Sequence, residues 1–365
     1  MRIKEPTVMI DEEKCRRNIE RIANKAKRND LIFRPHFKTH QSAEIGNWFR
    51  DYGVNSITVS SVKMAKYFVD NGWKDITIAF PVNVLEADDI NELAGVIKLN
   101  VLIVDLEALN ILQNKISNEL GVFLKIDVGT HRTGILPENE VEIKKLIDTI
   151  KNSKHLRLKG FLAHYGHTYQ CKNRNEVEDI FNKSNKILID LKKSFFNEGI
   201  ISIGDTPSCS LMNDFAEIDE IRPGNFIFYD IMQLNIGSCF EEDISIVLVS
   251  PIVAKHKERN EIVVYGGAVH LSKDTIIDKN NNKVFGYVVE MNDNGWGKSI
   301  ENTFVKSVSQ EHGIIKVNSD DSLLFKKHSG DLIGIMPVHS CLTADLNGKY
   351  ITTKDKIIFM MDKRK

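Results

Sequence analysis

Short apolar runs alternate with amphipathic stretches over the first 230 residues of the chain. The runs are rich in Val, Ile and Phe, which is typical of strands buried on both faces. The stretches between them carry apolar residues at helical spacing, and several end in Gly or Asn-Gly, where helices commonly stop. The segment 173–196, NRNEVEDIFNKSNKILIDLKKSFF, is the clearest helix. The predicted strands lie at 31–36, 55–60, 75–80, 100–104, 122–128, 158–164, 200–204 and 221–229.

Eight strands that alternate with helices over this length predict an α/β fold, a (β/α)8 TIM-type barrel. A doubly wound open sheet is the competing architecture, and periodicity alone does not exclude it. After residue 240 the pattern changes to short strands separated by turns, which is typical of an all-β domain. We therefore predict a barrel domain over residues 11–240 and a C-terminal all-β domain over residues 241–365, with which residues 1–10 could pair.

The composition narrows the class of protein. Of the 365 residues, 42% are hydrophobic and 27% are charged, and 49 Lys and Arg against 50 Asp and Glu give a net charge of −1. This balance argues against a nucleic-acid or anionic membrane surface. No apolar run is long enough to span a membrane, and the N-terminus lacks a signal-peptide core. Five cysteines without a CxxC pair do not predict a disulfide scaffold, so we expect a cytoplasmic protein.

Polar side chains cluster where the predicted barrel strands end. The loops at the carboxyl ends of barrel strands converge over one cavity, which is where the active sites of such barrels lie. The opposite strand ends show no comparable density of polar residues. This asymmetry predicts an active site, and the segments concerned are RPHFKTH (34–40), DVGTHRTG (127–134), AHYGHTY (163–169), GDTPS (204–208) and RPGN (222–225).

Two of these segments have the composition of a phosphate-binding loop. Glycine allows backbone N–H groups to approach an anion, and the hydroxyls of Thr206 and Ser208 can donate further hydrogen bonds. Taken one at a time, GDTPS and PGN are ordinary tight turns. Their position after two neighbouring late strands favours a phosphate site, which the late loops of such barrels often form.

A phosphate site together with a lysine at a strand end suggests pyridoxal phosphate bound as a Schiff base. The segments RPHFKTH, DVGTHRTG, RPGNFIFYD and PVHSCLTADL resemble the D-threonine aldolase and D-serine dehydratase family of fold type III pyridoxal phosphate enzymes, related to alanine racemase. The resemblance runs over nearly the whole chain. It implies an N-terminal (β/α)8 barrel, a C-terminal β domain, a small-molecule D-amino acid substrate and a homodimer.

The resemblance also assigns site residues. Lys38 matches the cofactor lysine, whose amine must be neutral to react, and burial beside cations such as Arg34 would favour that state. Arg132 resembles the arginine that reaches the cofactor's phenolic oxygen or the substrate carboxylate, and Tyr169 an active-site tyrosine. The roles of Arg222, His164 and His167 stay open, since each can be structural. The expected cofactor-binding residues are Lys38, His36, Arg132, Thr206, Gly224 and Asn225.

The segment VHSCLT (338–343) contains a second group of residues that could carry chemistry, a possible metal-binding pair. On an extended segment, His339 and Cys341 would project from one face and could chelate one ion. Imidazole with thiolate favours Zn²⁺, whereas a carboxylate in place of the thiol would favour Mn²⁺ or Mg²⁺. A packed cysteine beside an unrelated histidine is the plainer interpretation of the pair. The resemblance implies a metal site, because D-serine dehydratases of the eukaryotic type use His and Cys with zinc, and D-threonine aldolases use His and Asp.

The expected reaction is therefore the conversion of D-serine, and of D-threonine as a further substrate, to a 2-oxo acid and ammonia. Lys38, Arg132 and Tyr169 are the expected catalytic residues. Retro-aldol cleavage of β-hydroxy-D-amino acids is the nearest alternative. An amino-acid racemase would need a second base and no metal. A non-catalytic pyridoxal phosphate carrier would be built on the barrel alone, and the C-terminal domain argues against it.

Overall fold

The computed structural model describes residues 3–318 and 326–361, which fall into two compact units. Residues 20–38 and 46–224 form one, here called the barrel unit. The remaining described residues, 3–19, 39–45 and those from 225 onward, form the other, here called the β unit. The domain boundaries expected at residues 10, 240 and 241 stay a prediction.

The strands and helices are numbered in chain order. The strands are β1 Thr7–Ile10, β2 Ile32–Phe33, β3 Ile57–Val59, β4 Asp75–Pro81, β5 Lys98–Ile103, β6 Leu120–Lys125, β7 Leu156–Ala163, β8 Ile200–Ile203, β9 Glu220–Ile221, β10 Ile246–His256, β11 Glu261–Tyr265, β12 Ile276–Ile277, β13 Lys283–Val284, β14 Gly286–Asn292, β15 Gly295–Val308, β16 His312–Lys316, β17 Leu332–Pro337, β18 Lys349–Thr352 and β19 Ile357–Phe359. The helices are α1 Glu12–Arg28, α2 Ala43–Arg50, α3 Val62–Asp70, α4 Ala87–Ala94, α5 Leu106–Lys115, α6 Glu140–Lys151, α7 Arg174–Phe195, α8 Thr206–Leu211, α9 Ile231–Ile236, α10 Ala268–Leu271 and α11 Ser340–Asn347.

The barrel unit contains an eight-stranded parallel sheet in the order β2-β9-β8-β7-β6-β5-β4-β3. A parallel bridge between His36 and Thr58 joins the two edges, with Phe37 N–H donating to the Thr58 carbonyl at 2.8 Å. Helices follow the strands in alternation, so the predicted (β/α)8 architecture is confirmed and the open sheet is excluded. The long helix predicted at 173–196 is confirmed as α7.

The eighth predicted strand, 221–229, is wrong in extent. Only Glu220–Ile221 is a strand, and Asn225–Ile227 form a 3₁₀ turn. Pro223 explains the early end of the strand, because proline has no N–H to donate to a neighbouring strand. Apolar residues of FIFY continue the pattern beyond this point, but they are buried in turns and not in a sheet.

The β unit contains a nine-stranded sheet in the order β11-β16-β15-β14-β17-β10-β1-β18-β19, in which β11 also pairs with β10. Every pairing is antiparallel except that of β1 with β18. The predicted C-terminal β-rich domain is therefore confirmed. In the part of the chain that the structure describes, none of the helices has the length and apolar composition needed to cross a bilayer.

A chain of charged and polar side chains lies buried inside the barrel unit. Glu220 accepts hydrogen bonds from Arg34 Nε and Ser202 Oγ, both at 2.6 Å. Arg34 also donates to Asp75 at 2.5 Å, and Arg222 Nε donates to Ser202 Oγ at 2.7 Å. Burial penalises the charged form of Arg34, but Glu220 and Asp75 raise its pKa. The carboxylate of Glu220 therefore balances the positive charges of the buried Arg34 and Arg222. Without it, these two charges would be buried with less compensation.

We predict that Glu220→Gln destabilises the protein strongly. Removing one partner of a buried ion pair costs about 3–5 kcal/mol, so urea should unfold the variant at a much lower concentration than wild type. Lys98→Met is the matched control, since Lys98 also pairs with Asp75, at 2.9 Å, but is 61% exposed. The control should lose about 1 kcal/mol or less. Equal midpoints for the two variants would contradict the importance of the buried network.

Candidate active site

Lys38 lies in the barrel unit, in the segment that follows β2. Its side chain is exposed, so the expected burial beside Arg34 is wrong. Arg34 is instead turned into the barrel, where Glu220 and Asp75 hold it. The backbone places the segment by two hydrogen bonds: His36 N–H donates to the Pro223 carbonyl at 2.9 Å, and Phe37 N–H donates to Thr58. Lys38 is therefore an accessible amine on a fixed loop.

His164, at the end of β7, lies within the field of several cations. Burial lowers the pKa of His164 well below its usual value, and the charges of Lys38, Lys125 and Arg132 lower it further. Its Nδ1 is hydrogen-bonded to the Gly204 carbonyl, which can only accept, so Nδ1 carries the proton. His164 is thus a neutral imidazole, and the strand ends around it form a positively charged mouth.

Lys125 is a functional candidate that the sequence analysis missed. It is the last residue of β6 and only 5% exposed. Burial lowers the pKa of Lys125 to about 7, with the charges of Arg222 and Arg132 adding to the effect. A lysine within the apolar run VFLKIDV was the available signal. Lys125 is therefore an amine whose neutral form is accessible near physiological pH.

The loop that carries Arg132 is held by one carboxylate. Asp127 accepts hydrogen bonds from the N–H groups of Gly129 and His131, both at 3.0 Å. His131 adopts a left-handed backbone conformation with φ of 53°, which the second of these bonds helps to hold. The Arg132 side chain that follows is exposed, so it is available to an anion. His167, by contrast, is bonded through Nδ1 to the Thr130 hydroxyl at 3.2 Å, which fits a structural role.

Helix α8 presents two unpaired hydroxyl groups from its first turn. Thr206 Oγ1 and Ser208 Oγ are completely buried and have no hydrogen-bond partner among the described residues. Asp205 caps the helix, accepting from Ser208 N–H at 2.7 Å and from the Thr168 hydroxyl at 3.0 Å. Tyr169 lies beside the same turn, with its hydroxyl accepting from Thr206 N–H at 3.1 Å. Buried hydroxyls without partners are costly, so this turn fits an anion such as the phosphate of pyridoxal phosphate.

The other end of α8 is held by Lys25. The ammonium of Lys25 donates to the carbonyls of Cys209, Ser210 and Met212 at 3.0, 2.6 and 2.7 Å. These are carbonyls at the C-terminal end of the helix, which a cation stabilises. Lys25 was not predicted from the sequence, because its place in the amphipathic α1 resembles that of the neighbouring surface lysines.

Arg222 is held from two sides inside the barrel. Its Nη2 donates to the Ala163 carbonyl at 2.7 Å and its Nε to Ser202. Burial lowers the pKa of Arg222 to about 10. An added Cβ on Gly204 would lie 3.1 Å from the Arg222 Cβ, so a larger residue there would press against Arg222. Gly224, two residues further, is half-buried.

The remaining predicted site residues, Asn225, His339 and Cys341, belong to the β unit. The expected extended geometry of the last two is wrong, because α11 begins at Ser340 and only His339, its N-cap, has an extended conformation. The Cys341 side chain nevertheless lies close enough to His339 to raise the pKa of the imidazole. The two side chains are therefore near each other, although by a different local structure from the one predicted.

Several polar groups surround this pair. Thr39 Oγ1 lies 3.4 Å and Asn225 Nδ2 lies 3.7 Å from Cys341 Sγ. His339 Nδ1 is 2.7 Å from an oxygen of Asp274. Burial disfavours the charged imidazole, but the contact with Cys341 and the carboxylates of Asp230 and Asp274 raise the pKa of His339 to about 10.

The donor set suits a metal ion with open positions. Asp274 on Nδ1 leaves Nε2 of His339 as the ligand nitrogen, the arrangement in which a carboxylate orients a metal-binding imidazole. Among the residues that the structure describes, His, Cys, Asp and Glu side chains do not gather in a group of three or more suited to one ion. His339 and Cys341 are the two side chains that could hold the ion here, with water or substrate completing the coordination.

Two families match the chain, one over each part of it. Residues 10–231 match the alanine racemase N-terminal domain, and residues 245–353 match the putative serine dehydratase domain. A D-serine dehydratase from Dictyostelium discoideum is 30% identical over 374 residues, which cover 94% of this chain and 92% of that protein.

Solved structures share the fold. A D-threo-3-hydroxyaspartate dehydratase variant, described as the metal-free form, superposes with a TM-score of 0.91 at 21% identity and 98% coverage of both chains. D-threonine aldolase from Filomicrobium marinum superposes with a TM-score of 0.84 at 18% identity, over 98% of this chain and 95% of that one. Together with the family matches, the cationic barrel mouth and the hydroxyls of α8 lead to one conclusion: the chain belongs to the fold type III pyridoxal phosphate-dependent lyase family of D-serine dehydratase and D-threonine aldolase.

Proposed function

We propose that this lyase eliminates the β-hydroxyl group of D-serine to give pyruvate and ammonia, with pyridoxal phosphate on Lys38 and Zn²⁺ on His339 and Cys341. The donor pair that α11 carries supports the proposal: His339, whose imidazole Asp274 orients, and Cys341, which has Thr39 and Asn225 beside its sulfur. Imidazole and thiolate are donors that zinc favours, whereas a carboxylate at the cysteine would favour Mn²⁺ or Mg²⁺. D-threonine is a second substrate, because its hydroxyl group is also on Cβ.

The barrel unit supplies the base and the anion-binding groups. In this proposal Lys38, an exposed amine on the loop after β2, takes the proton from substrate Cα. Pyridoxal phosphate, when bound, supplies a conjugated ring that delocalises the electron pair left on Cα. The hydroxyls of Thr206 and Ser208 would hold the phosphate, and exposed Arg132 would bind the substrate carboxylate through its two-pronged guanidinium.

The β unit supplies the leaving-group chemistry. Asp274 orients His339 so that Nε2 can bind a cation, and Cys341 would add a thiolate, with the Asn225 amide donating to its sulfur and the Thr39 hydroxyl in contact with it. A zinc ion there supplies Lewis acidity, which stabilises negative charge on the departing hydroxyl oxygen.

Retro-aldol cleavage is the second candidate, because D-threonine aldolase has the same fold. It would break the Cα–Cβ bond after loss of the hydroxyl proton. Cys341 favours dehydration, since the resemblance assigns a carboxylate to this position in the aldolases. His36, Tyr169, Gly224 and Asn225 complete the proposed cofactor contacts, and the homodimer and the cytoplasmic location also stay predictions.

Lys38→Ala should abolish turnover and the visible absorbance of the bound cofactor, because no amine would remain at this position. Borohydride reduction of the loaded wild-type protein, followed by peptide mapping, should place the cofactor on Lys38. Lys125→Ala is the informative comparison, since burial lowers the pKa of Lys125 to about 7 and makes it the competing amine. That variant should still carry the label on Lys38. A label found on Lys125 in wild type would refute the assignment.

Thr206→Val should weaken cofactor binding without a comparable effect on turnover at saturating cofactor. The lost charge-assisted hydrogen bond is worth roughly 1.5–3 kcal/mol, or about ten- to a hundredfold in Kd. Thr149→Val is the control, because that hydroxyl donates to the Lys145 carbonyl within α6 at 2.8 Å. Fluorescence titration of the apoprotein with pyridoxal phosphate gives both constants. If both variants bind alike, the first turn of α8 is a plain turn.

Chelation of the metal should stop pyruvate formation from D-serine while the cofactor stays bound and visible. Added Zn²⁺ should restore the activity of wild type, and Cys341→Asp should shift the preference toward Mn²⁺ or Mg²⁺, because a hard carboxylate replaces a soft thiolate. Asp345→Asn, on the exposed side of the same helix, is the control for the substitution. Pyruvate made at full rate by metal-free protein would rule out the zinc mechanism.

A further inference from the structure

Asp230 is a buried carboxylate that the chemistry above does not use. Only 1% of its surface is exposed, and it lies directly before α9 in the β unit. Oδ1 accepts from Gln233 N–H at 3.0 Å and so caps α9. Oδ2 accepts from Ser340 N–H at 2.9 Å, from Ser340 Oγ at 3.2 Å and from Asn225 Nδ2 at 2.6 Å. One carboxylate is therefore bonded to donors from three separate chain segments.

Each of the Oδ2 partners is next to the proposed metal ligands. Ser340 stands between His339 and Cys341 and begins α11, so its N–H fixes the turn on which their contact depends. The amide of Asn225 lies 2.9 Å from Ser340 Oγ and 3.7 Å from Cys341 Sγ. Asp230 thereby determines where that amide points its N–H groups.

Capping α9 alone does not explain this arrangement. An N-cap requires one side-chain oxygen, which Gln233 N–H already occupies. A buried carboxylate is costly unless its lone pairs accept hydrogen bonds, and the described partners of the second oxygen all lie beside the His339–Cys341 pair. A negative charge near two neutral or anionic ligands also favours a bound cation.

We propose that Asp230 is the positioning residue of the metal site: through Ser340 and Asn225 it holds the His339–Cys341 pair in the geometry that binds the ion. This inference rests on the proposed function only in assigning a metal to His339 and Cys341. Asp230 differs from Asp274 in that it acts through Ser340 and Asn225, whereas Asp274 contacts the imidazole directly.

The test measures metal affinity of the apoprotein and not activity. Asp230→Asn should weaken Zn²⁺ binding about ten- to a hundredfold in competition with a chromogenic chelator, which is the usual effect of losing an outer-shell partner. In the Co²⁺-substituted protein the thiolate-to-metal and d–d absorption bands should shift or weaken, because the thiolate no longer has a fixed position. Asp345→Asn, the same substitution on an exposed residue of α11, should change neither.

Ser340→Ala covers the case in which Asp230→Asn does not fold. It deletes one hydroxyl, keeps Asp230 and the backbone bond, and should still shift the Co²⁺ bands and weaken Zn²⁺ binding. Unchanged affinity and spectra in either folded variant would overturn the role of Asp230. Cys341→Ala distinguishes failure of the metal assignment from failure of the positioning role. If Cys341→Ala binds Zn²⁺ as tightly as wild type, the metal assignment fails. If Cys341→Ala loses the ion while Asp230→Asn and Ser340→Ala keep it, only the positioning role fails.

Discussion

The barrel unit depends on the pairing of the charged side chains that are buried inside it. Glu220 makes this possible, since its two oxygens receive Arg34 and Ser202, and Ser202 in turn receives Arg222. An unpaired charge in this place would cost several kcal/mol, so the strands that carry these residues cannot shift register independently. Arg222 also packs closely against Gly204, which precedes the hydroxyls of α8. The buried network therefore supports the turn that carries the proposed phosphate site.

The two units create opposite electrostatic environments, each suited to its proposed ligand. In the barrel unit, Lys38, Lys125 and Arg132 surround a neutral His164, which favours an anionic cofactor and a substrate carboxylate. In the β unit, the carboxylates of Asp230 and Asp274 act on His339, which favours a cation. Lys125 and Asp230 are buried, so salt would screen their charges less than those of the exposed Lys38 and Arg132.

Periodicity predicted the eight alternating strands, α7 and the β-rich C-terminal part, and the family resemblance supplied the site residues, which stay predictions. The predicted strand 221–229 failed because apolar periodicity does not distinguish a strand from buried turns after a proline. The extended geometry at His339 failed because a helix of eight residues, α11, has no strong amphipathic pattern. Lys125, Asp205 and Asp230 were missed for another reason: their importance lies in burial and in partners that are distant in the sequence.

The products formed from D-threonine test the central proposal most directly, because the two candidate reactions break different bonds of one substrate. Purified protein loaded with pyridoxal phosphate and Zn²⁺ would be incubated with D-threonine, and the products identified by nuclear magnetic resonance. Dehydration, which we predict, gives 2-oxobutyrate and ammonia. Glycine and acetaldehyde as the main products would contradict it and would establish retro-aldol cleavage instead.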